Sequence, residues 1–147
     1  MFHIRGILVF RGEEKGDSAM TDVHEPRQEL VTKMDAWNPI FFGDLEYVFG
    51  YALAGTQFQL YALYPDKSKQ YPEGGCGVNI KSIGGLLNLE RIADRCMLLQ
   101  YMINIAKVFK VMEPKLPRGG PFLEQTNRTG SEMVLEIIRN WSFFQGM

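Results

Sequence analysis

The sequence of 147 residues predicts one α/β domain, a small mixed sheet flanked by helices. Two patterns of apolar residues alternate along the chain. Some segments have short apolar runs or apolar residues at every second position, which is typical of strands. Others are longer and have apolar residues at spacings of three and four, which is typical of helices. Prolines and glycine pairs separate these stretches. The hydrophobic fraction of 46% is sufficient for a folded core and argues against wholesale disorder.

Residues 4–12 predict the first strand. The run ILVF, residues 7–10, is continuously apolar, as in a strand that is buried on both faces, and Gly12 ends the pattern. Residues 16–24 are polar and contain glycine and serine, which predicts a loop. Because an apolar strand begins almost at the first residue, we expect the chain to be a piece of a longer protein.

Residues 25–38 predict the first helix. Pro26 is compatible with the first turn of a helix. Leu30 and Met34 then recur at helical spacing. The residue before Pro39 disfavours the α conformation, so the helix is expected to end there.

Residues 46–63 predict a pair of strands with a turn at 54–56, since apolar and polar residues alternate in the second half of this segment. The next stretch, PDKSKQYPEGGCG at 65–77, is rich in turn-forming residues and predicts a loop. Residues 78–83 predict a short strand.

A second, longer helix is predicted over residues 86–112. It is apolar on most sides, which is typical of a helix that is buried against more than one neighbour. Pro114 stops it, and we divide the chain into a domain at 1–115 and a linker with a last element at 116–147. The apolar spacing of residues 132–140 does not distinguish a strand from a short helix.

Charge and cysteine content limit the functional classes. The net charge of −1 gives no overall basic field for nucleic-acid binding. Cys76 and Cys96 lie twenty residues apart without a CxxC pair, which favours two reduced thiols over a zinc site. The chain has no signal-peptide pattern and no run of about 18 apolar residues, so no membrane span is expected.

The tetrapeptide GEEK, residues 12–15, places three charged residues at the end of an apolar strand. On a strand, Glu13 and Lys15 project from one face and Glu14 from the other. A divalent ion held by such a carboxylate can polarise a phosphate and lower the pKa of its bound water. Magnesium prefers oxygen ligands and needs only one or two carboxylates, so the Glu14 backbone carbonyl could complete the set. Lys15 could then orient the attacking water or stabilise developing charge.

The same residues have a simpler interpretation. Charge pairs on strands are usually solvated or pair across strands. The spacing of Glu13 and Lys15 alone therefore favours a surface ion pair.

A series of aromatic residues follows the two predicted strands of segment 46–63. Such a series could stack nucleic-acid bases, although at strand spacing it is more often core with one aromatic face. Its members are Tyr47, Phe49, Tyr51, Phe58, Tyr61 and Tyr64.

Four stretches together are specific enough to indicate a family. They are FRGEEKGD, the helix EPRQELVTKMDAW, the strand pair FGYALAGTQFQLYAL and the long helix NLERIADRCMLLQYMINIAKVF. Over residues 5–115 this combination resembles the PD-(D/E)XK, or restriction-endonuclease-like, domain of Crinkler-type proteins and of related fungal and oomycete kinase-associated regions.

The resemblance implies a restriction-endonuclease-like core that hydrolyses DNA phosphodiesters with Mg²⁺. It makes Glu13 the metal-binding carboxylate and Lys15 the catalytic lysine. Gln28 would be the polar residue that the following helix directs at the site; otherwise it is an exposed helix residue. The resemblance also implies a fused or partner kinase domain, and a location in the nucleus or cytoplasm.

The family pattern also requires an acidic residue, usually Asp, on the strand before the Glu-x-Lys strand, and a helix upstream usually contributes a glutamate. Residues 1–12 contain neither Asp nor Glu. We therefore expect the preceding strand and helix to be missing and the fold to be truncated at its N-terminus. Two hypotheses stay open: a Mg²⁺-dependent nuclease domain that acts on DNA, or an incomplete and inactive descendant of one, and a non-catalytic sensor, docking or DNA-binding module attached to a kinase or effector.

Overall fold

A computed structural model shows two strands, a helix, three strands and a second helix that ends in a 3₁₀ turn. It describes residues 2–4, 7–16, 22–34, 36–38, 42, 44–72 and 74–116. The elements are β1 (Phe2–Ile4), β2 (Ile7–Lys15), α1 (His24–Thr32), β3 (Val48–Ala54), β4 (Gln57–Gln70), β5 (Cys76–Asn88), α2 (Ile92–Met112) and the 3₁₀ turn (Glu113–Lys115). The predicted mixed α/β class is confirmed.

The five strands form one sheet in the order β1-β2-β3-β4-β5. Only β2 and β3 pair in parallel, and every other neighbouring pair is antiparallel. The parallel pair requires a crossover, and α1 lies in it. This crossover places α1 over one face of β2 and β3.

The other face of the sheet carries α2. Phe109 of α2 is almost completely buried, and its ring centroid lies 6.4 Å from that of Phe10 and 5.7 Å from that of Phe49. Both ring pairs meet edge to face, an arrangement that aromatic rings favour. This aromatic cluster attaches α2 to β2 and β3.

A glycine lets α1 approach the sheet closely. A Cβ atom at Gly50 would lie 2.7 Å from Cδ1 of Leu63 and 2.8 Å from Cδ2 of Leu30. Leu30 and Pro26 are the fully buried residues of α1, and Leu30 lies against the position that a Cβ atom of Gly50 would take. A larger residue at position 50 would therefore require the Leu30 and Leu63 side chains to move.

The strand end predicted at Gly12 is wrong. β2 continues to Lys15, because its parallel register pairs Glu13 with Ala52 and Lys15 with Ala54. The expectation that no strand precedes β2 is also wrong, since β1 pairs with it in antiparallel orientation. β1 contains no acidic residue.

The loop predicted over 65–77 is wrong as well. β4 extends to Gln70 and β5 begins at Cys76, so the hairpin reaches well beyond β3. Asp66 and Gln70 pair with β5 despite the turn-forming residues, and the register shifts between them. The turn itself is short, and its residues Gly74 and Gly75 have φ angles of 89° and 95°.

Both helices are shorter than predicted. α1 ends at Thr32 rather than at residue 38, and α2 begins at Ile92 rather than at residue 86. Residues 117–147 lie outside the described residues, so the division at 115/116 and the element at 132–140 stay predictions. Within the described part of the chain, no helix is long and apolar enough to cross a membrane.

Most of the aromatic series belongs to the core. Phe49, Phe58 and Tyr61 are buried, and Tyr51 stacks on Phe58 with ring centroids 5.3 Å apart. Only Tyr64 is exposed among the six. These placements favour the core interpretation over a base-stacking platform. Both cysteines are free: Cys76 is buried at the start of β5, and Cys96 is exposed on α2.

Candidate functional site

The face of β2 beneath α1 ends in three alternating charged residues. Arg11, Glu13 and Lys15 share this face because strand side chains alternate. Glu13 is 8% exposed, which is unusual for a carboxylate. The structure therefore brings Glu13 and Lys15 to one face, at the edge of the α1–β2 interface.

Two cations compensate the buried carboxylate of Glu13. Arg11 Nε donates to its Oε1 atom at 3.2 Å, and Lys33 Nζ donates to its Oε2 atom at 2.6 Å. Lys33 lies directly after α1, so the second contact joins the helix to the strand. A buried charge is tolerated only when it is paired in this way.

The ion pairs continue along α1. Lys33 Nζ also lies 2.9 Å from Glu29 Oε2. Glu29 Oε1 contacts Lys15 Nζ, which lies 3.5 Å from Glu25 Oε1. Acids and bases thus alternate without interruption in an ion-pair chain, Arg11–Glu13–Lys33–Glu29–Lys15–Glu25. Its three acidic and three basic groups cancel in charge.

This arrangement shifts the ionisation of its central groups. The hydrogen bond from Lys15, followed by that from Lys33, lowers the pKa of Glu29 to about 2. The hydrogen bond to Glu29 raises the pKa of Lys15 above its usual value. The hydrogen bond to Glu13, followed by that to Glu29, raises the pKa of Lys33. All three groups are therefore charged near neutral pH.

Glu14 lies on the opposite face of β2, as its position in the strand predicts. Its Oε1 atom accepts a hydrogen bond from the Tyr51 hydroxyl. Burial, and then the contact with Glu14, raises the pKa of Tyr51 well above its usual range. The Tyr51 ring lies across Gly12, where a Cβ atom would collide with it. The Glu14 carboxylate is thus separated from the ion-pair chain by the sheet.

Gln28 does not take part in the ion-pair chain. It is exposed on α1, and its backbone carbonyl accepts a hydrogen bond of 3.0 Å from the Thr32 hydroxyl. The helix instead directs Glu25 and Glu29 at β2, with Lys33 one turn further on. The spacing of four between these residues is a signal in the sequence, because it puts all three on one helix face.

A buried amide lies on the same face as Glu13, two strands away. Glu13 pairs with Ala52, and Ala52 pairs with Gln59. The Nε2 atom of Gln59 donates to the carbonyl of Leu60 at 3.1 Å and to that of Ile83 at 3.2 Å. These bonds span the irregular pairing of β4 with β5, so Gln59 acts there as a structural residue.

The donor chemistry of the site fits a magnesium ion, with one condition. Glu13 Oε2 and Glu29 Oε2 both face a single cation, the Lys33 ammonium, and carboxylate oxygens are the ligands that Mg²⁺ prefers. A divalent ion at this place would have to displace Lys33. Among the residues that the structure describes, no group of three or more His, Cys, Asp or Glu side chains is placed to hold a metal.

The fold and the site define a small α/β domain with a charged cluster between a parallel strand and its crossover helix. The chain is 32% identical to Crinkler effector protein 8 of Phytophthora infestans over 142 residues, which is 94% of this chain and 21% of that protein. The similarity to this Crinkler effector extends over most of this chain.

The chain spans 21% of the length of this relative. No family model matches the chain. No solved structure matches it either.

Proposed function

We propose that this chain is the nuclease-like module of a Crinkler-type effector and that it hydrolyses DNA phosphodiesters at Glu13 and Lys15 with Mg²⁺. One observation carries the proposal: two carboxylates, those of Glu13 and Glu29, converge on a single cation position beside Lys15. When bound there, Mg²⁺ would polarise the phosphate and lower the pKa of a water molecule.

The residues around this position have separate roles in the proposal. Glu13 and Glu29 would hold the ion, in the place between them that the Lys33 ammonium occupies. Lys15 contacts Glu29, so with Glu29 engaged in holding the ion the Lys15 ammonium would be less tightly paired. Lys15 is then free to orient the attacking water or to stabilise charge on the phosphate.

Plasmid cleavage in the presence of Mg²⁺ tests this proposal. This chain and a longer version with its natural flanking sequence are compared with their Glu13→Ala and Lys15→Gln variants. We expect both substitutions to abolish cleavage, and the exposed control Glu46→Gln to leave it unchanged. Circular dichroism of Lys15→Gln shows whether a loss of cleavage reflects chemistry or folding, because Lys15 also pairs with Glu29. An inert longer protein, or cleavage that persists in both variants, would refute nuclease activity.

A second candidate is a non-catalytic docking or DNA-binding module attached to a protein kinase. The charge balance of the ion-pair chain favours it, because both oxygens of Glu13 already have cationic partners. The basic groups of the site are likewise occupied by glutamates. Titration calorimetry with Mn²⁺ separates the two candidates. A heat of Mn²⁺ binding that is present in the unmodified chain and absent in Glu13→Ala supports the nuclease. The same titration curve for the unmodified chain and Glu13→Ala supports the docking module.

A further inference from the structure

The outward side of α2 carries an apolar stripe. Ile92, Leu99 and Ile103 are 76%, 36% and 44% exposed, and Cys96 is exposed between them. These four residues, which we call the outer stripe, follow one another at spacings of four, three and four. That spacing is typical of a helix that packs a narrow apolar face against one further element.

The outer stripe is separate from the face of α2 that packs on the sheet. Leu98, Ile105 and Phe109 form that inner face and are buried. Apolar residues gathered on an exposed surface usually mark a binding site. The outer stripe therefore offers a surface for an apolar partner.

Two lysines define the charge of this surface. Lys107 and Lys110 are exposed and follow the outer stripe toward the end of α2. A complementary partner would carry apolar residues at spacings of three and four, with acidic residues at the end that meets these lysines.

The chain contains a segment with this chemistry. Four large apolar residues recur there at spacings of three, four and three, and two glutamates lie at its beginning. The apolar residues are Val134, Ile137, Trp141 and Phe144, and the glutamates are Glu132 and Glu136. We propose that residues 132–144 bind the outer stripe antiparallel to α2, so that the two glutamates meet Lys107 and Lys110.

The connection is long enough for this binding. Residues 117–131 separate the 3₁₀ turn from the segment. An extended linker of that length spans up to about 50 Å, whereas the whole of α2 is about 30 Å long. An antiparallel arrangement needs less than this reach, because the segment would begin beside the end of α2.

The labelling rate of Cys96 by a maleimide in the full chain tests the proposal. Cys76 is buried, so the fast reaction reports on Cys96 within the outer stripe. We expect slow labelling in the unmodified chain, and labelling about tenfold or more faster in Ile137→Asp. Ser142→Asp is the matched control, because it adds the same charge beside the apolar series without removing a member, and its rate should not change.

Charge reversal gives a second readout that does not depend on the core. K107E/K110E should speed the labelling, and the further substitutions E132K/E136K should slow it again. Equal rates in the unmodified chain and Ile137→Asp would overturn the proposal. Protection that increases with protein concentration would also overturn it, because a second copy would then cover the stripe.

Discussion

Lys33 Nζ lies 2.6 Å from Glu13 Oε2, although twenty residues separate the two in sequence. The contact joins the residue after α1 to the most buried carboxylate of β2. The Lys33 ammonium also occupies the position between Glu13 and Glu29 that we propose for a divalent ion. The stability of the domain and the proposed chemistry therefore depend on the same pair.

The Glu13→Gln substitution tests the stabilising role of this carboxylate. We expect the free energy of unfolding to fall by about 1–3 kcal/mol, because Arg11 and Lys33 lose a buried charged partner. Urea unfolding measures the change. The exposed control Glu46→Gln should stay within about 0.5 kcal/mol of the unmodified chain. Equal effects of the two substitutions would contradict a special role of Glu13.

Acid should weaken the domain partly through Glu29. Its pKa is about 2 in the folded chain and 4.5 in a model compound, so its contribution to stability is complete above about pH 4.5 and disappears as pH falls toward 2. Urea unfolding of the unmodified chain and Glu29→Gln between pH 2 and pH 6 measures this contribution. The stability difference between them should shrink on acidification. A difference that is constant across this range would contradict the assigned pKa.

Replacement of Lys33 by methionine should create a dependence on divalent ions. The substitution keeps the apolar stem and removes the ammonium, so the Glu13 and Glu29 carboxylates face each other without the cation that they share. We expect a lower melting temperature in EDTA and a clear rise with Mn²⁺, larger than in the unmodified chain.

Lys81→Met is the matched control for this experiment, because Lys81 is exposed on β5, away from the ion-pair chain. Its melting temperature should respond to Mn²⁺ as that of the unmodified chain does. If Lys33→Met responds no more than the control, Glu13 and Glu29 do not share a cation site.

Gly12→Ala should destabilise the domain by about 1–3 kcal/mol, because the new methyl group collides with the Tyr51 ring. That ring is also stacked on Phe58 and has little room to move. The Tyr51→Val substitution removes this ring. Gly12→Ala should therefore cost less stability in the Tyr51→Val background than in the unmodified chain, and a double-mutant cycle measures the difference. Gly16→Ala is the control, since among the described residues no atom beyond its chain neighbours lies within 4 Å of its Cβ position. Equal losses at the two glycines would contradict the collision.

The placement of Glu13 and Lys15 could be predicted because a strand has a fixed side-chain period of two. Once residues 7–15 form a strand, the two side chains must share a face, whatever surrounds them. The position of Glu14 on the other face follows from the same rule. The alternation of Phe58 and Leu60 similarly predicted a strand in the position of β4.

The cationic partner of Glu13 could not be predicted in this way. Helical spacing places Glu29 and Lys33 on one side of α1. Whether that side faces β2 depends on the packing of Leu30 against Gly50. This is a tertiary contact between segments twenty residues apart. The full lengths of β4 and β5 escaped prediction for a related reason: pairing between the strands outweighed the local turn preferences of residues 65–77.

The mixed pairing of the sheet has a consequence for the order of folding. β3, β4 and β5 are consecutive strands that pair through short connections, whereas β2 reaches β3 only across an intervening helix, as in the Phe10–Phe49 pair. Loop closure is entropically less costly for the first group, so the meander should assemble early and β2 should join late. The segment that bears Glu13 and Lys15 would then be among the last to gain protection from hydrogen exchange during refolding.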